Sequence, residues 1–192
     1  MRYENYWVDG DTLIVEGKFF GISTGLLGGW KRVNFAFNHS VGEEFYRSDP
    51  AAYLKKVAKK YNLKSYFGLL TAVPMDNLSV ENVGEVTAFV TAGVNNPNEK
   101  IGTINAIVVI DARTSRSGLL NSIITVTEAK SKALIESGYN FTGTNTDAVV
   151  ILSTQRGKYY RYTGPASDLG RKVWDAVCKA VKRSLEKWES SN

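Results

Sequence analysis

A continuous run of aliphatic residues, AVVIL at 148–152, restricts the fold more than any other feature of the sequence. Because polar residues do not alternate with the apolar ones, the run predicts a strand covered on both faces. The polar stretch TGTNTD at 142–147 comes directly before it. This stretch therefore leads into a core, and we do not expect it to be a loose surface loop.

The length and composition predict one compact domain over residues 1–192. Hydrophobic residues make up 43% of the 192, and no proline-rich or serine-rich linker divides them. No apolar run approaches the roughly 20 residues that cross a bilayer, and the first residues lack the features of a signal peptide. With Cys178 as the single cysteine, no internal disulfide can form. We therefore expect a soluble, cytoplasmic protein that does not contact membranes.

The sequence predicts neither a cofactor nor a metal. One histidine, His39, and one cysteine cannot supply the three or four ligands of a usual zinc site. A magnesium or calcium ion held by carboxylates is left open.

The basic residues do not predict a nucleic-acid partner, although the net charge is +5 and the pI about 9.2. Many of them lie in two predicted helices, at 50–64 and 171–187, where a solvated helix face explains them better than a phosphate-binding surface. No RNA-binding or finger motif accompanies them. A single glutamine beside frequent lysine, glutamate and tyrosine indicates a thermophilic source.

The order of the elements predicts an α+β fold. Ser48 or Asp49 is expected to cap the first helix, with Pro50 in its first turn. Thr114 to Ser117 are expected to supply the caps of the second helix, and Gly138 to end it. Runs of strands with interspersed helices favour a single layered domain, with a mixed, mostly antiparallel sheet and about three main helices, over a strictly alternating parallel fold. The predicted helices are 50–61, 118–137 and a last one after residue 165. The predicted strands are 6–8, 12–15, 18–24, 31–37, 66–73, 85–92, 103–111 and 148–152.

Lys130 falls inside the apolar stripe of the helix at 118–137, whereas Thr125 and Glu128 fall on its polar side. A lysine in this position extends to solvent, pairs with a carboxylate, or faces a ligand, because burying an unpaired ammonium costs several kcal/mol. Asp111 and Asp147 are the carboxylates that could pair with it.

Three predicted strand ends carry small, amide or hydroxyl side chains: TGTNTD before the last strand, TAGVNNP at 91–97, and Asn38 with His39. Ligand sites in sheet proteins commonly form at such ends. For TGTNTD two interpretations are open. It is either a capped turn that satisfies backbone donors, or a cradle in which Gly143 lets the backbone approach a ligand.

Five sequence blocks follow one another along the chain: LLTAV (69–73), VTAGVNNP (90–97), GTINAIVVIDA (102–112), LLNSIITVTEAKSKAL (119–134) and TGTNTDAVV (142–150). In this order they resemble the adenosylcobinamide amidohydrolase family, the CbiZ-type enzymes of archaeal cobamide salvage. STGLLGGW (23–30), NHSV (38–41) and SDP (48–50) also fit the family, so the resemblance covers about residues 20–155. It implies hydrolysis of the amide between the corrinoid acid and aminopropanol, giving adenosylcobyric acid and 1-aminopropan-2-ol.

We therefore expect a small-molecule corrinoid substrate and a site made of catalytic and binding residues. The catalytic hypothesis gives Glu128 or Asp147 the role of base and Lys130 that of oxyanion stabiliser. A nucleophilic Thr144 or Thr146 is the alternative. The predicted substrate-binding residues are Asn38, His39, Thr91, Asn95, Asn105, Asn121, Thr142, Gly143, Thr144, Asn145 and Thr146.

A corrinoid also requires a broad cleft with aromatic side chains at its edge, for which Trp30, Tyr46 and Phe67 are candidates. Two other classes of function are open: a corrinoid-binding module without activity, and a basic nucleic-acid-associated domain. The sequence also leaves open whether the chain forms a homo-oligomer.

Overall fold

The structure is a computed structural model that describes residues 3–96 and 101–191. Within these residues the chain forms an eight-stranded sheet, a separate pair of two-residue strands, and three α-helices. The helices are α1 (Pro50–Lys60), α2 (Arg116–Glu136) and α3 (Asp168–Ser191), and 3-10 turns occur at Glu43–Arg47 and Met75–Asn77. The strands are β1 (Tyr6–Asp9), β2 (Thr12–Ser23), β3 (Gly29–Ser40), β4 (Tyr66–Thr71), β5 (Ser79–Val83), β6 (Val86–Asn96), β7 (Ile101–Ile110), β8 (Arg113–Thr114), β9 (Ala148–Ser153) and β10 (Tyr159–Tyr160).

The large sheet is mixed, with the strand order β4-β3-β2-β9-β7-β6-β5 and with β1 paired to β2. Strands β3 and β4 are parallel and connected through α1, and β7 and β9 are parallel and connected through α2. The other neighbouring pairs are antiparallel. The predicted α+β class, with a mostly antiparallel sheet and three main helices, is confirmed.

The helices begin and end where the capping residues predict. The Asp49 carboxylate accepts the Ala52 N–H at 2.7 Å, and the Ser115 hydroxyl oxygen accepts the Gly118 N–H at 2.9 Å. Gly138 follows α2 with φ +90°, a conformation that glycine adopts without strain. Within the described residues, no helix is long and apolar enough to cross a membrane.

A β-bulge bends β2 in the middle. Glu16 pairs with Phe35 of β3 and Phe19 pairs with Val33, so β2 contains one more residue than its partner between these pairs. A bulge bends its strand and increases the local twist. The curved sheet brings β3 and β4, at one end of the strand order, into contact with β6 and β7 near the other end.

The curved sheet separates three apolar clusters. One fills its inner face, a second lies between its outer face and helices α2 and α3, and a third lies under α1. Alternate residues of β9 contribute to different clusters, with Val150 in the inner one and Ile151 in the outer one. The prediction that the run at 148–152 is covered on both faces is confirmed.

Three predictions about elements and faces are wrong. Two strands were predicted at 12–15 and 18–24, but β2 runs unbroken from Thr12 to Ser23, because the bulge between Glu16 and Phe19 continues the strand. Strand β5 lies between the predicted strands 66–73 and 85–92, where no strand was predicted, and pairs with β6. Thr125 is buried, and its hydroxyl donates to the Thr163 carbonyl at 2.8 Å, so this position of α2 packs inward.

The ion pair of Glu85 with Lys172 attaches α3 to the turn between β5 and β6. The ammonium of Lys172 is 2.5 Å from one carboxylate oxygen of Glu85, and the Tyr160 hydroxyl donates to the other at 2.6 Å. Lys172, and then Tyr160, lower the pKa of Glu85 to about 2. A carboxylate with a lowered pKa stabilises the fold above its unfolded-state pKa, and that stability is lost as pH falls through the folded-state value.

We expect Glu85→Gln to lower the free energy of unfolding at pH 7 by about 1–2 kcal/mol, allowing for partial solvent screening. The difference from the unchanged protein should shrink between pH 4.5 and about 2, where the native carboxyl also becomes neutral. Urea unfolding at a series of pH values measures this. Glu44→Gln, which removes the exposed pair with Lys56, is the control and should change little; equal losses in both variants would contradict the assignment.

Candidate active site

Asp147 organises the polar stretch that precedes β9. One of its carboxylate oxygens accepts the Ile104 N–H at 2.9 Å and the Thr144 hydroxyl at 2.6 Å. The other accepts the Thr144 N–H at 3.0 Å and the Lys130 ammonium at 2.5 Å. A carboxylate has about four acceptor sites, so these donors use its capacity. The capped-turn interpretation of TGTNTD therefore describes the backbone of the loop.

Lys130 projects from α2 among buried residues and pairs with Asp147. Each of the two side chains is 11% exposed. Of the alternatives that the sequence left open, pairing with Asp147 is therefore the one observed. Asp111 instead accepts a hydrogen bond from the Thr154 hydroxyl at 2.9 Å.

Gly143 lies directly against this ion pair. A Cβ atom at position 143 would be 2.6 Å from the Asp147 carboxylate and closer still to the Lys130 ammonium. Its φ is not in the left-handed region, so close approach explains this glycine better than backbone freedom. The groups that lie so close to Gly143 are the Lys130 ammonium and the Asp147 carboxylate.

Threonine hydroxyls continue the polar surface next to Asp147. The Thr103 and Thr146 hydroxyls are 2.8 Å apart, and Thr146 also donates to the Gly102 carbonyl at 2.8 Å. Because a hydroxyl has one hydrogen, Thr103 is then the donor to Thr146. The same Gly102 carbonyl lies 2.9 Å from the Thr144 hydroxyl.

A cleft opens in front of these groups and has two adjoining parts that share Phe45, Leu70 and Thr146. Its first part, of about 360 Å³, reaches Asp147, and its second, of about 290 Å³, reaches Asn95 and Thr103. Asp147 is the only carboxylate among the described residues that line either part. The other lining residues of the first part are Thr24, Gly25, Leu26, Pro50, Leu54, Gly68, Leu69 and Ala148, and those of the second are Val41, Tyr46, Thr71, Ala72 and Gly102.

A buried amide cluster joins the two ends of the curved sheet near the second part of the cleft. The Asn38 amide donates to the Thr91 hydroxyl at 2.8 Å, and the Asn105 amide donates to the Asn38 side-chain oxygen at 3.0 Å and to the Leu70 carbonyl at 2.9 Å. A carbonyl can only accept, so the Leu70 contact fixes which way the Asn105 amide points. The side-chain oxygen of Asn105 has no partner within the described residues, although the residue is 1% exposed.

The structure separates several predicted residues from the cleft. Glu128 is exposed and faces Trp174 and Arg171 of α3. Residues two apart on a helix do not share a face, so Glu128 and Lys130 point in different directions. The prediction that Glu128, Lys130 and Asp147 meet in one notch is wrong for Glu128.

Asn121, Thr142 and His39 also lie elsewhere. Asn121 is near Thr163, and Thr142 is exposed, with its carbonyl bonded to Ser131. His39 neighbours Asn38 on β3 and therefore points to the other face of the sheet, where its ring is 2.8 Å from the Thr12 hydroxyl. Burial lowers the pKa of His39, and its surroundings are those of a structural histidine.

Some residues of the cleft received no predicted role. Thr103 precedes Asn105 by two residues, and this period of two is the signal that could have placed its hydroxyl on the same inner face. Phe45, which had no predicted role, and Tyr46, which was predicted at the edge of the cleft, lie in a 3-10 turn that no pattern indicated. Trp30 and Tyr46 are 41% and 74% exposed, in keeping with an edge position, whereas Phe67 is a core residue at 1%. Asn145 is exposed, and Pro97, which follows the two asparagines of TAGVNNP, lies outside the described residues.

The described residues contain no cluster of three or more His, Cys, Asp or Glu side chains that could hold a metal ion. The Asp147 carboxylate lines the cleft, is paired with the Lys130 ammonium, and lies next to hydroxyls and an amide. A concave site with a few convergent polar groups is typical of an enzyme that acts on a small polar molecule.

Comparison with known proteins defines the family. A model of the family described as adenosylcobinamide amidohydrolase matches residues 15–192, and the chain belongs to this family. It is 42% identical to an adenosylcobinamide amidohydrolase of Methanosarcina mazei, with 94% of this chain and 97% of that protein covered. It is 30% identical to an uncharacterized protein of Methanocaldococcus jannaschii, covering 91% and 84%, and 26% identical to an adenosylcobinamide amidohydrolase of Halobacterium salinarum, covering 65% and 60%.

The resemblance predicted from the motif blocks is thereby confirmed, and with it the prediction of an amidohydrolase that acts on adenosylcobinamide. The relatives come from archaea, as expected. The match also extends past residue 155 to the end of the chain, where the sequence blocks carried no recognised motif.

We expect Gly143→Ala to lower the free energy of unfolding by about 1–3 kcal/mol, the usual cost of overpacking, because the added methyl group collides with the Lys130–Asp147 pair. Thermal unfolding followed by circular dichroism measures the loss. Gly42→Ala is the matched control, since a Cβ there meets nothing within 4 Å. Equal stability of Gly143→Ala and Gly42→Ala would show that the loop around position 143 accommodates the added methyl group without lowering the free energy of unfolding.

Proposed function

We propose that the protein hydrolyses the amide between the corrinoid acid and aminopropanol of adenosylcobinamide in the cleft beside Asp147, releasing adenosylcobyric acid and 1-aminopropan-2-ol. The observation that carries the proposal is the Asp147 carboxylate, which lines this cleft and is paired with the buried Lys130, in a chain of the amidohydrolase family. A carboxylate can accept a proton and later return it, and amide hydrolysis requires both steps.

In the proposed reaction Asp147 is the general base. Its carboxylate takes a proton from a water molecule, and the resulting hydroxide attacks the amide carbon. One of the donors to Asp147 must move so that the water can bind. Thr144 is the donor best suited, because its hydroxyl has a second acceptor, the Gly102 carbonyl, at 2.9 Å.

The tetrahedral intermediate carries a negative charge on oxygen that needs donors. Within the described part of the chain, the N–H groups of Gly143 and Asn145 donate no hydrogen bond, so they are available for this charge. The Thr144 N–H is already bonded to Asp147. The intermediate collapses when the carbon–nitrogen bond breaks, and the departing amine takes the proton that Asp147 had accepted. Lys130, 2.5 Å from Asp147, keeps the carboxylate in place and balances its charge.

The second part of the cleft provides groups for the polar atoms of the substrate arm. Asn95, Thr103 and Thr146 present an amide and two hydroxyls, which suit the hydroxyl of aminopropanol and the neighbouring amides. Asn105, next to Thr103 on the inner face, is buried and lines neither part of the cleft, so we infer that it shapes the cleft from beneath and does not touch the substrate. Asn38 and Thr91 hold Asn105 in position and are not themselves at the surface.

We expect Asp147→Asn to lower kcat by about 100-fold or more, because it removes the general base but keeps the shape of the side chain. Released aminopropanol, measured by mass spectrometry after incubation with adenosylcobinamide, reports the rate. Glu128→Gln removes the other predicted carboxylate, which lies outside the cleft, and should keep full activity.

Folding is checked separately, since Asp147→Asn leaves the Lys130 ammonium without its anion. The double variant Lys130→Gln, Asp147→Asn removes both charges and should be folded but inactive. A folded Asp147→Asn protein with full activity would contradict the proposal. Tight binding of adenosylcobinamide by the unchanged protein, without released aminopropanol, would instead indicate a corrinoid-binding module.

Water is distinguished from Thr146 as the nucleophile by Thr146→Val. With water as nucleophile we expect the variant to lose about tenfold in kcat at most, because only a hydrogen-bonding hydroxyl is removed. With Thr146 as nucleophile, Thr146→Val would be inactive and Thr146→Ser active, and mass spectrometry of the unchanged protein during turnover would detect a corrinoid ester of the chain.

The partner and location also remain proposals: no nucleic-acid partner, and a cytoplasmic protein. Lysines of the helices pair with carboxylates, as in Lys56 with Glu44 and Lys182 with Glu136, which supports solvated helix faces over a phosphate-binding surface. Burial raises the pKa of the Cys178 thiol, so this cysteine suits an inert packing role. Binding that weakens steeply with added salt would indicate a nucleic-acid partner instead.

A further inference from the structure

The cleft is much smaller than the whole substrate. Its two parts, of about 360 and 290 Å³, suit the amide arm of a corrinoid. The macrocycle that carries the arm must then lie outside, against whatever surface surrounds the opening. The side chains on that surface therefore decide how the macrocycle is recognised. This inference rests on the proposed function.

The loop between β2 and β3 forms one side of the opening and exposes two leucines. Leu26 lines the first part of the cleft and is 44% exposed, and Leu27 is 47% exposed. Glycines hold the loop close to its neighbours: a Cβ at Gly25 would be 2.5 Å from a methyl group of Leu69, and one at Gly28 would be 2.6 Å from the Gly25 carbonyl oxygen. The backbone of the loop is therefore closely packed, whereas its two leucine side chains are partly exposed.

Leu27 also has an unusual backbone. Its φ is +54°, in the left-handed region that costs a residue with a Cβ some free energy. Strained residues of this kind are concentrated at functional sites, where the surrounding structure maintains them. A leucine that is both strained and half exposed is not explained by the packing of this protein alone.

The 3-10 turn forms the opposite side of the opening. Phe45 lines both parts of the cleft, and its ring packs edge-on against Tyr53 of α1 with centroids 5.4 Å apart. Tyr46 lines the second part, is 74% exposed, and packs edge-on against Phe45 at 5.7 Å. On this side, the Phe45 ring is packed against two other rings, and the Tyr46 ring is mostly exposed.

We propose that Leu26, Leu27, Phe45 and Tyr46, called the rim below, bind the corrin macrocycle while its amide arm occupies the cleft. A corrin ring is a wide, largely apolar plate that carries positive charge. The chain has a net charge of +5, so long-range electrostatics oppose the encounter and binding relies on apolar contact and on the amides of the arm. Exposed apolar side chains beside the opening of the cleft meet this requirement.

The test measures the dissociation constant of adenosylcobinamide by calorimetry in the Asp147→Asn background, where the substrate is not consumed. Leu27→Asn removes the apolar side chain and places at this position a residue that tolerates the left-handed backbone. Tyr46→Ser removes the free ring on the other side. We expect each to raise the dissociation constant about fivefold to tenfold.

Leu120→Gln is the matched control. Leu120 is a leucine of α2 that is 53% exposed and does not line the cleft, so the dissociation constant should not change. The same variants in the active protein should raise KM more than they lower kcat, which provides a second measurement if the Asp147→Asn background is unstable.

Unchanged binding in either rim variant would overturn the proposal, as would an equal loss in Leu120→Gln. The proposed function is judged by a different reading, the turnover of the folded Asp147→Asn protein. A rim effect on binding with full turnover in Asp147→Asn would keep the macrocycle site and reject Asp147 as the base. Loss of turnover in Asp147→Asn, without a rim effect on binding, would keep Asp147 as the base and reject the macrocycle site.

Discussion

The buried pair of Lys130 and Asp147 is the interaction on which the site depends. Removing two charges from water is costly, and the cost is offset only when each charge finds a partner and further hydrogen bonds. Here the carboxylate receives four donors from a helix, a strand and its own loop. The polar stretch ahead of a fully covered strand exists because this carboxylate must be surrounded by donors.

The bent sheet brings the remaining groups to the same place. The bulge between Glu16 and Phe19 bends β2, which lies between β3 and β9 in the sheet. In the bent sheet, the carboxyl end of β3 approaches Thr91 of β6, and Asn105 of β7 reaches the carbonyl of Leu70 in β4. The cleft is therefore formed by segments that are distant in the sequence, and each strand contributes only one or two polar side chains to it.

The sequence could predict those features that depend on neighbouring residues. Caps at Asp49 and Ser115, the buried run at 148–152 and the misfit of Lys130 all follow from local periodicity or capping chemistry, and the structure confirms them. Glu128 was predicted as an alternative base to Asp147, although helical periodicity already put it on the polar side of α2, and the structure places it outside the cleft.

Thr103 and Phe45 could not be assigned from the sequence, for a different reason. Their place at the cleft depends on the bend in β2 and on contacts between strands that are not sequence neighbours. The family resemblance predicted the substrate but carried no residue roles, so it could not supply this information either.

The Asn105 amide, bonded both to Asn38 and to the Leu70 carbonyl, connects opposite ends of the curved sheet immediately below the reactive groups. Neither end can separate from the other without opening this connection. The cleft thus has no independent hinge within the sheet, and its geometry lasts as long as the sheet stays closed. Heat should consequently inactivate the enzyme at the temperature where the whole domain melts, with no earlier stage in which the fold persists and the site is lost.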